Sequence, residues 1–157
     1  MENGKKAGWL LALFGFLPFL TGTVIELMPY SGDIATLKAY NFKLLPLYAA
    51  VILSFLGGIR WGVALASHST ESKTATLAWS VVPSLWAWVA AYLAAPLNFF
   101  LFAVGFAAVG VWDRGLRGNP DVPIWYVEMR RVLTWLVTIS MLVAAIGTNI
   151  PLIMSAF

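Results

Sequence analysis

Apolar residues run along this chain in five long stretches, broken by short polar segments, at residues 8–28, 44–66, 75–95, 97–112 and 132–154. An α-helix needs ~20 predominantly apolar residues to cross ~30 Å of hydrocarbon. Lipid offers no hydrogen bonds, so a crossing segment must satisfy its own backbone, and a helix does so. The pattern predicts an all-α polytopic bundle of about five transmembrane helices, forming a single domain over residues 1–157. Only Pro96 separates the third and fourth stretches. They are expected to form a tight helical hairpin with antiparallel arms; one long broken helix is the alternative. The count of five rests on the short fourth stretch being a full crossing.

Composition agrees with the pattern. Of 157 residues 61% are hydrophobic and only 11% charged, against about a quarter charged in soluble domains. Mean hydropathy is +0.83. The spans consume most of the chain, and no separate catalytic domain fits in what remains. Lys5 and Lys6 precede the first apolar run in the manner of a signal peptide. That run lacks a small-x-small cleavage site and exceeds a usual signal core, so an uncleaved first helix is expected.

Charge sets the expected orientation. Lys5, Lys6, Lys73, Arg114, Arg117, Arg130 and Arg131 flank one side of the predicted bundle, and Lys38 and Lys43 the other. Cations gather on the cytoplasmic side, so the N-terminus is expected inside and the C-terminus outside. Topology therefore explains the net charge of +3, and nucleic acid is not an expected partner. Trp9, Trp61, Trp79, Trp112 and Trp125 fall near the inner interface, and Tyr30, Tyr40 and Tyr48 near the outer one. Such rings anchor at headgroup level because one end is apolar and the other hydrogen-bonds.

Candidate chemistry is sparse. There is no cysteine and one histidine, His68, in a polar loop; thiolate and multi-histidine metal or haem sites are excluded. No nucleophile-elbow, Walker or zinc-protease pattern occurs. No enzyme activity, metal or cofactor is expected.

Four features remain. Ala50, Ser54, Gly58, Gly62 and Ala66 recur every four residues on the second helix, a ridge of small side chains suited to close helix packing in lipid. It is expected to pack inside the bundle, with a homodimer face as the alternative. Arg60, beside Trp61, lies in the same stretch. An ionised group at mid-membrane costs at least ~2.5 kcal/mol, so it pairs or snorkels. Arg60 stands about 9 Å of helix from Ala66 at ~1.5 Å per residue, within reach of headgroups; its candidate partner is Asp113, which closes the fourth span.

The fourth loop, residues 113–131, is the sizeable polar segment of the inner side. Gly118-Asn119-Pro120 reads as a turn, and Asp121 with Pro123 as a helix start. The following stretch to Arg130 and Arg131 mixes aromatics with charge, as an interfacial helix does. Its arginines either fix topology or hold a partner or anionic lipid. On the outer side Glu26 is expected to pair with Lys38 or Lys43. Thr21, Thr23, Asn98, Thr148 and Asn149 lie at comparable depth and are candidates for a shallow polar pocket. Pro18, Pro46, Pro83 and Pro151 lie in or at the ends of spans, where membrane helices tolerate them.

The segment Leu56-Gly57-Gly58-Ile59-Arg60-Trp61-Gly62, the Trp112-Asp113 pair and the Trp125-Tyr126…Arg130…Leu133-Thr134 pattern resemble a family of small multi-pass proteobacterial proteins. That family is known mainly as a domain of unknown function, with a mitochondrial transmembrane relative. The resemblance covers Leu13 to about Ile146 and implies a bacterial inner-membrane location. It carries no catalytic activity and no functional residues.

The candidate binding residues are thus Arg60, Trp61, Asp113, Arg130 and Glu26. The favoured reading is an accessory or interaction protein that binds a membrane complex or lipid at the inner face, with homo-oligomerisation open. The alternative is a small transporter or channel component. The scarcity of ionisable residues in the middles of helices three to five argues against it.

Overall fold

A computed structural model describes residues 2–67 and 73–148. The order is α1 (Glu2–Leu27), α2 (Gly32–Ala66), α3 (Thr74–Tyr92), α4 (Leu97–Asp113), a 3-10 turn (Arg114–Leu116) and α5 (Ile124–Gly147). All five helices are long and apolar enough to cross a membrane, and the fourth reaches 20 residues when its 3-10 turn is included. At ~1.5 Å per residue such a length covers about 30 Å, the thickness of the hydrocarbon core. The hairpin expected around Pro96 is present: α3 ends at Tyr92 and α4 starts at Leu97, across a cis Ala95–Pro96 bond.

The helices outrun the apolar stretches at their polar ends. α2 begins at Gly32 rather than residue 44, and α5 at Ile124 rather than residue 132. Hydropathy marks what must sit in lipid; a helix continues beyond it wherever its polar residues find partners. In α2 those partners are on α1. Lys38 and Asn41 lie on one face and are both buried against its C-terminal end. Pro123 precedes α5 with extended backbone (ψ 138), as a proline at a helix start does. The expected turn is present too, with Gly118 at φ +96 and the Asp121 amide donating to Asn119 Oδ1 at 2.9 Å. The expected last residues of the fifth span, with Asn149 and Pro151, and the loop with His68, lie outside the described residues.

α4 is the central helix. Its buried residues include Phe99, Phe102, Ala103, Phe106 and Val109, and around them pack Phe19, Leu45, Ala49, Leu53, Ala87, Val137 and Met141. Phe19 meets Phe106 edge-on at 5.5 Å between centroids and Tyr48 at 5.2 Å; edge-to-face pairs stabilise beyond the area they bury. α2 packs mainly on α3, α4 on α5 and α5 on α1. Two glycines set the spacing. At Gly57 a Cβ would strike the main-chain oxygen of Ser80 on α3, and at Gly110 it would strike Thr134 on α5. Close backbone approach at small residues is how helices associate where lipid removes the hydrophobic drive.

The small-residue ridge of α2 does not do this. Ala50 and Ser54 are half-buried, whereas Gly58, Gly62 and Ala66 are exposed, and a Cβ at Gly58 or Gly62 would touch nothing within 4 Å. The buried line is instead Ala49, Leu53, Leu56, Gly57, Arg60 and Ala64. The reason is geometric. At 3.6 residues per turn, a residue repeated every fourth position drifts about 40° per step around the helix, so a ridge that starts beside the core leaves it.

Candidate functional site

At one end of the bundle the N-termini of α1 and α5 meet the C-termini of α2 and α4. This is the basic end, carrying Lys5, Lys6, Arg114, Arg117 and Arg131 around a buried cluster. α2 delivers Arg60, α4 delivers Trp112 and Asp113, and α5 delivers Tyr126 and Arg130. Arg60, Asp113 and Arg130 are 9%, 5% and 7% exposed, so none of the three charges is a solvated surface group.

Asp113 does not take Arg60 as its partner. Its Oδ2 accepts from Nε of Arg130 at 2.9 Å. α4 packs along α5, while α2 lies mainly on α3, so Arg130 reaches the carboxylate directly. The Arg60 guanidinium instead stacks on Trp112, with Cζ 4.1 Å from the ring centroid. That contact places a planar cation on the negative face of an indole. Arg60 also feels the charge of Asp113. Its Nε and Nη1 are buried and make no hydrogen bond among the described residues. Two buried guanidiniums therefore share one buried carboxylate, and one of them lacks an acceptor.

Arg130 lines two recesses on different sides of α5. One, of about 350 Å³, lies between α4 and α5 and is walled by Asp113, Arg114, Arg117, Glu128 and Arg131. The other is an apolar cleft of about 390 Å³ between α1, α2 and α5, reaching Phe106 of α4. Tyr126 also lines this cleft; its neighbour Trp125 packs against Gly8 of α1.

The other expected residues fall elsewhere. Trp61 is 41% exposed and faces away from the cluster. Glu26 is fully buried at the opposite end. Its Oε1 accepts from Asn41 Nδ2 at 2.6 Å, and Asn41 also donates to the Gly22 carbonyl at 3.0 Å. Lys38, not the exposed Lys43, approaches it, donating to the Glu26 carbonyl at 2.7 Å and lying 5.1 Å from the Tyr30 ring centroid. Thr23 donates to the Ser140 carbonyl across to α5. Among the described residues Asn98 and Thr148 do not join a shared polar pocket. Asn98 accepts from the adjacent Phe99 amide, and Thr148 donates to Ala145 one turn back; both turn onto their own backbone. Asn41 and Tyr126 were not singled out by the sequence as site residues. The signal for Asn41 was its spacing of three from Lys38 on one helix face.

Among the described residues no group of three or more His, Cys, Asp or Glu side chains is arranged to hold a metal ion. The basic end offers hydrogen-bond donors and positive charge to an anion, and an apolar cleft beside them.

Known proteins resemble this chain along nearly its whole length. The chain is 27% identical over 155 residues to Transmembrane protein 69 of Xenopus tropicalis, covering 96% of this chain and 58% of that protein. It is 34% identical over 149 residues to Transmembrane protein 69 of Mus musculus, covering 94% and 59%. The chain thus spans about three fifths of the length of these relatives. No solved structure matches it. The model of the family described as "Protein of unknown function (DUF3429)" matches residues 4–146, which include every residue of the buried basic cluster. With its five membrane-crossing helices, this multi-pass membrane protein belongs to the DUF3429 family.

Proposed function

We propose that this protein is a non-catalytic accessory protein of the bacterial inner membrane that holds an anionic lipid at its basic, cytoplasmic end. The observation that carries this reading is the charge imbalance of the buried cluster. Arg130 occupies Asp113, and Nε and Nη1 of Arg60 are buried with no acceptor among the described residues. An uncompensated arginine within a membrane helix is costly, and an anionic headgroup drawn to this end relieves the imbalance. Exposed Arg114, Arg117 and Arg131 add to the local potential, and basic pockets at the cytoplasmic ends of helices are known sites for lipid phosphates.

The packing of the bundle supports this reading over transport. Phe19, Leu53, Phe99, Phe102 and Met141 are completely buried across the middle of the bundle, where a conduction path would need polar groups or water.

The test is native mass spectrometry of protein extracted in mild detergent. Phosphatidylglycerol or cardiolipin is expected to stay bound in preference to phosphatidylethanolamine. Arg60→Gln removes one positive charge from this end and is expected to weaken that preference about fivefold, the ~1 kcal/mol of one basic residue near an anionic lipid, whereas Lys43→Gln at the opposite end leaves it unchanged. Equal retention of anionic and zwitterionic lipid by the unaltered protein would overturn the reading.

A further inference from the structure

The cleft between α1, α2 and α5 suggests where the rest of such a lipid goes. On α1 it runs from Gly8 to Phe19, about 16 Å of helix at ~1.5 Å per residue. That is the depth of one leaflet of a ~30 Å hydrocarbon core. Its wall on α1 includes Gly8, Ala12 and Gly15, small residues on one face that leave a channel rather than a seam. Gly15 would meet only the Tyr48 hydroxyl, at 3.7 Å.

The side-chain hydrogen bonds between the two helices that flank the cleft start at Gly15, in its outer half, and continue beyond it. Tyr48 donates to the Gly15 carbonyl at 2.7 Å, and Asn41 and Lys38 bind the last turns of α1 beyond that. Towards the basic end α1 leans on α5 instead, where Gly8 receives the ring of Trp125. The hydrogen bonds that join α1 to α2 thus gather towards the neutral end.

The polarity of the cleft is one-sided. Most of its length is hydrocarbon, from Phe16, Ile52, Leu56 and Leu133, and its basic end is closed by Tyr126 and Arg130. Arg60 stacks on Trp112, next to the Asp113 carboxylate that Arg130 binds. Lys5 stands about one turn below Gly8 on the same helix. An apolar slot one leaflet deep, with cations only at its headgroup end, is complementary to one molecule of the surrounding solvent.

We infer that this cleft holds one acyl chain of an anionic glycerophospholipid from the cytoplasmic leaflet, with its phosphate at the Tyr126–Arg130 end. This inference rests on the anionic-lipid reading above and narrows it to one side of α5. The arginine-walled recess between α4 and α5 is the competing seat for the phosphate. Charged side chains make up most of its lining, with Ile124 and Val127 the larger apolar residues, against the long apolar lining of the cleft.

Photo-cross-linking in proteoliposomes tests it, using phosphatidylglycerol with a diazirine midway along one acyl chain and the matching phosphatidylcholine probe. The expected result is adducts concentrated on Ile52, Leu56 and Leu133, about tenfold more from the anionic probe. Ala12→Trp, which fills the slot from a half-buried position, is expected to abolish them while a melting curve reports the fold intact. Adducts spread evenly around the bundle, or gathered at Val127 and Arg131, from a protein that still prefers anionic lipid would overturn the acyl-chain site alone. Equal adducts in the cleft from both probes would overturn it as well. Failure of the anionic preference in native mass spectrometry would remove the headgroup reading with it. The wild-type map decides the matter even if Ala12→Trp fails to fold.

Discussion

Lys38 Nζ donates to the main-chain carbonyl of Glu26 at 2.7 Å, not to its carboxylate. The carboxylate's hydrogen bond comes from Asn41. The link between α1 and α2 at the neutral end is therefore a polar clasp of three side chains around a helix terminus. A helix terminus leaves carbonyls without intrahelical partners, and here a lysine from the next helix supplies the donor for the Glu26 carbonyl while an asparagine bonds the carboxylate.

This arrangement predicts an order of effects. Lys38→Met strands the buried Glu26 carbonyl and Asn41→Leu strands a buried Glu26 carboxylate oxygen, and each should lower stability by about 1–3 kcal/mol. Glu26→Gln keeps an acceptor for Asn41 and leaves the lysine's bond untouched, so it should cost less than either. Unfolding in mixed detergent measures all three; a costlier Glu26→Gln would show that the carboxylate charge, not the clasp, holds the helices.

At the basic end the pairing can be weighed directly. A double-mutant cycle of Asp113→Asn with Arg130→Gln should give a coupling energy of about 1–3 kcal/mol. The cycle of Asp113→Asn with Arg60→Gln should give well under that, because Arg60 stacks on Trp112 and makes no hydrogen bond to the carboxylate. Equal couplings would mean that the two arginines exchange places on Asp113.

Adjacent glycines on α2 should behave in opposite ways. Gly57→Ala pushes a methyl group into the Ser80 carbonyl and should destabilise by about 1–3 kcal/mol, the range for overpacking. Gly58→Ala meets nothing within 4 Å and should be neutral or stabilising by up to about 1 kcal/mol through helix propensity. Thermal melting in detergent reads both. A Gly58→Ala change that costs stability only in bilayers would identify the exposed ridge as a face between copies of this chain.

Orientation is open to a simple measurement because the chain has no cysteine. Single cysteines replacing Lys5 or Arg117 should be protected from an impermeant maleimide in intact cells, and one replacing Ser31 should be labelled. The reverse pattern would invert the bundle and put the basic end outside, against the bias of flanking cations.

Some of this was legible along the chain and some was not. The five crossings, the hairpin at Pro96, the helix start at Pro123 and the inward pull on Arg60 follow from local facts: run length, proline stereochemistry and the cost of a buried charge. The partner of Asp113 does not. Arg60 and Arg130 both sit at the right depth, and depth is what hydropathy reports. Choosing between them requires knowing which helices are neighbours. A rule was available in hindsight: Asp113 and Arg130 flank one short loop between consecutive helices, and consecutive elements are usually adjacent in space.

The second feature beyond reach was the phase of α2. By itself the sequence determined that this segment is a membrane helix with glycine on its surface, because residue type and run length decide that. Which glycine meets a neighbour depends on a rotation of about 100° between Gly57 and Gly58, and only α3, packed at Ser80 and Pro83, selects it. The same holds for the basic end. The sequence gathered seven cations on one side of the bilayer. Only the tertiary structure decided that Arg130 takes the buried Asp113 carboxylate and that Arg60 is left without a hydrogen-bond acceptor among the described residues. Pairing depends on distances across helices that no pattern along one chain records.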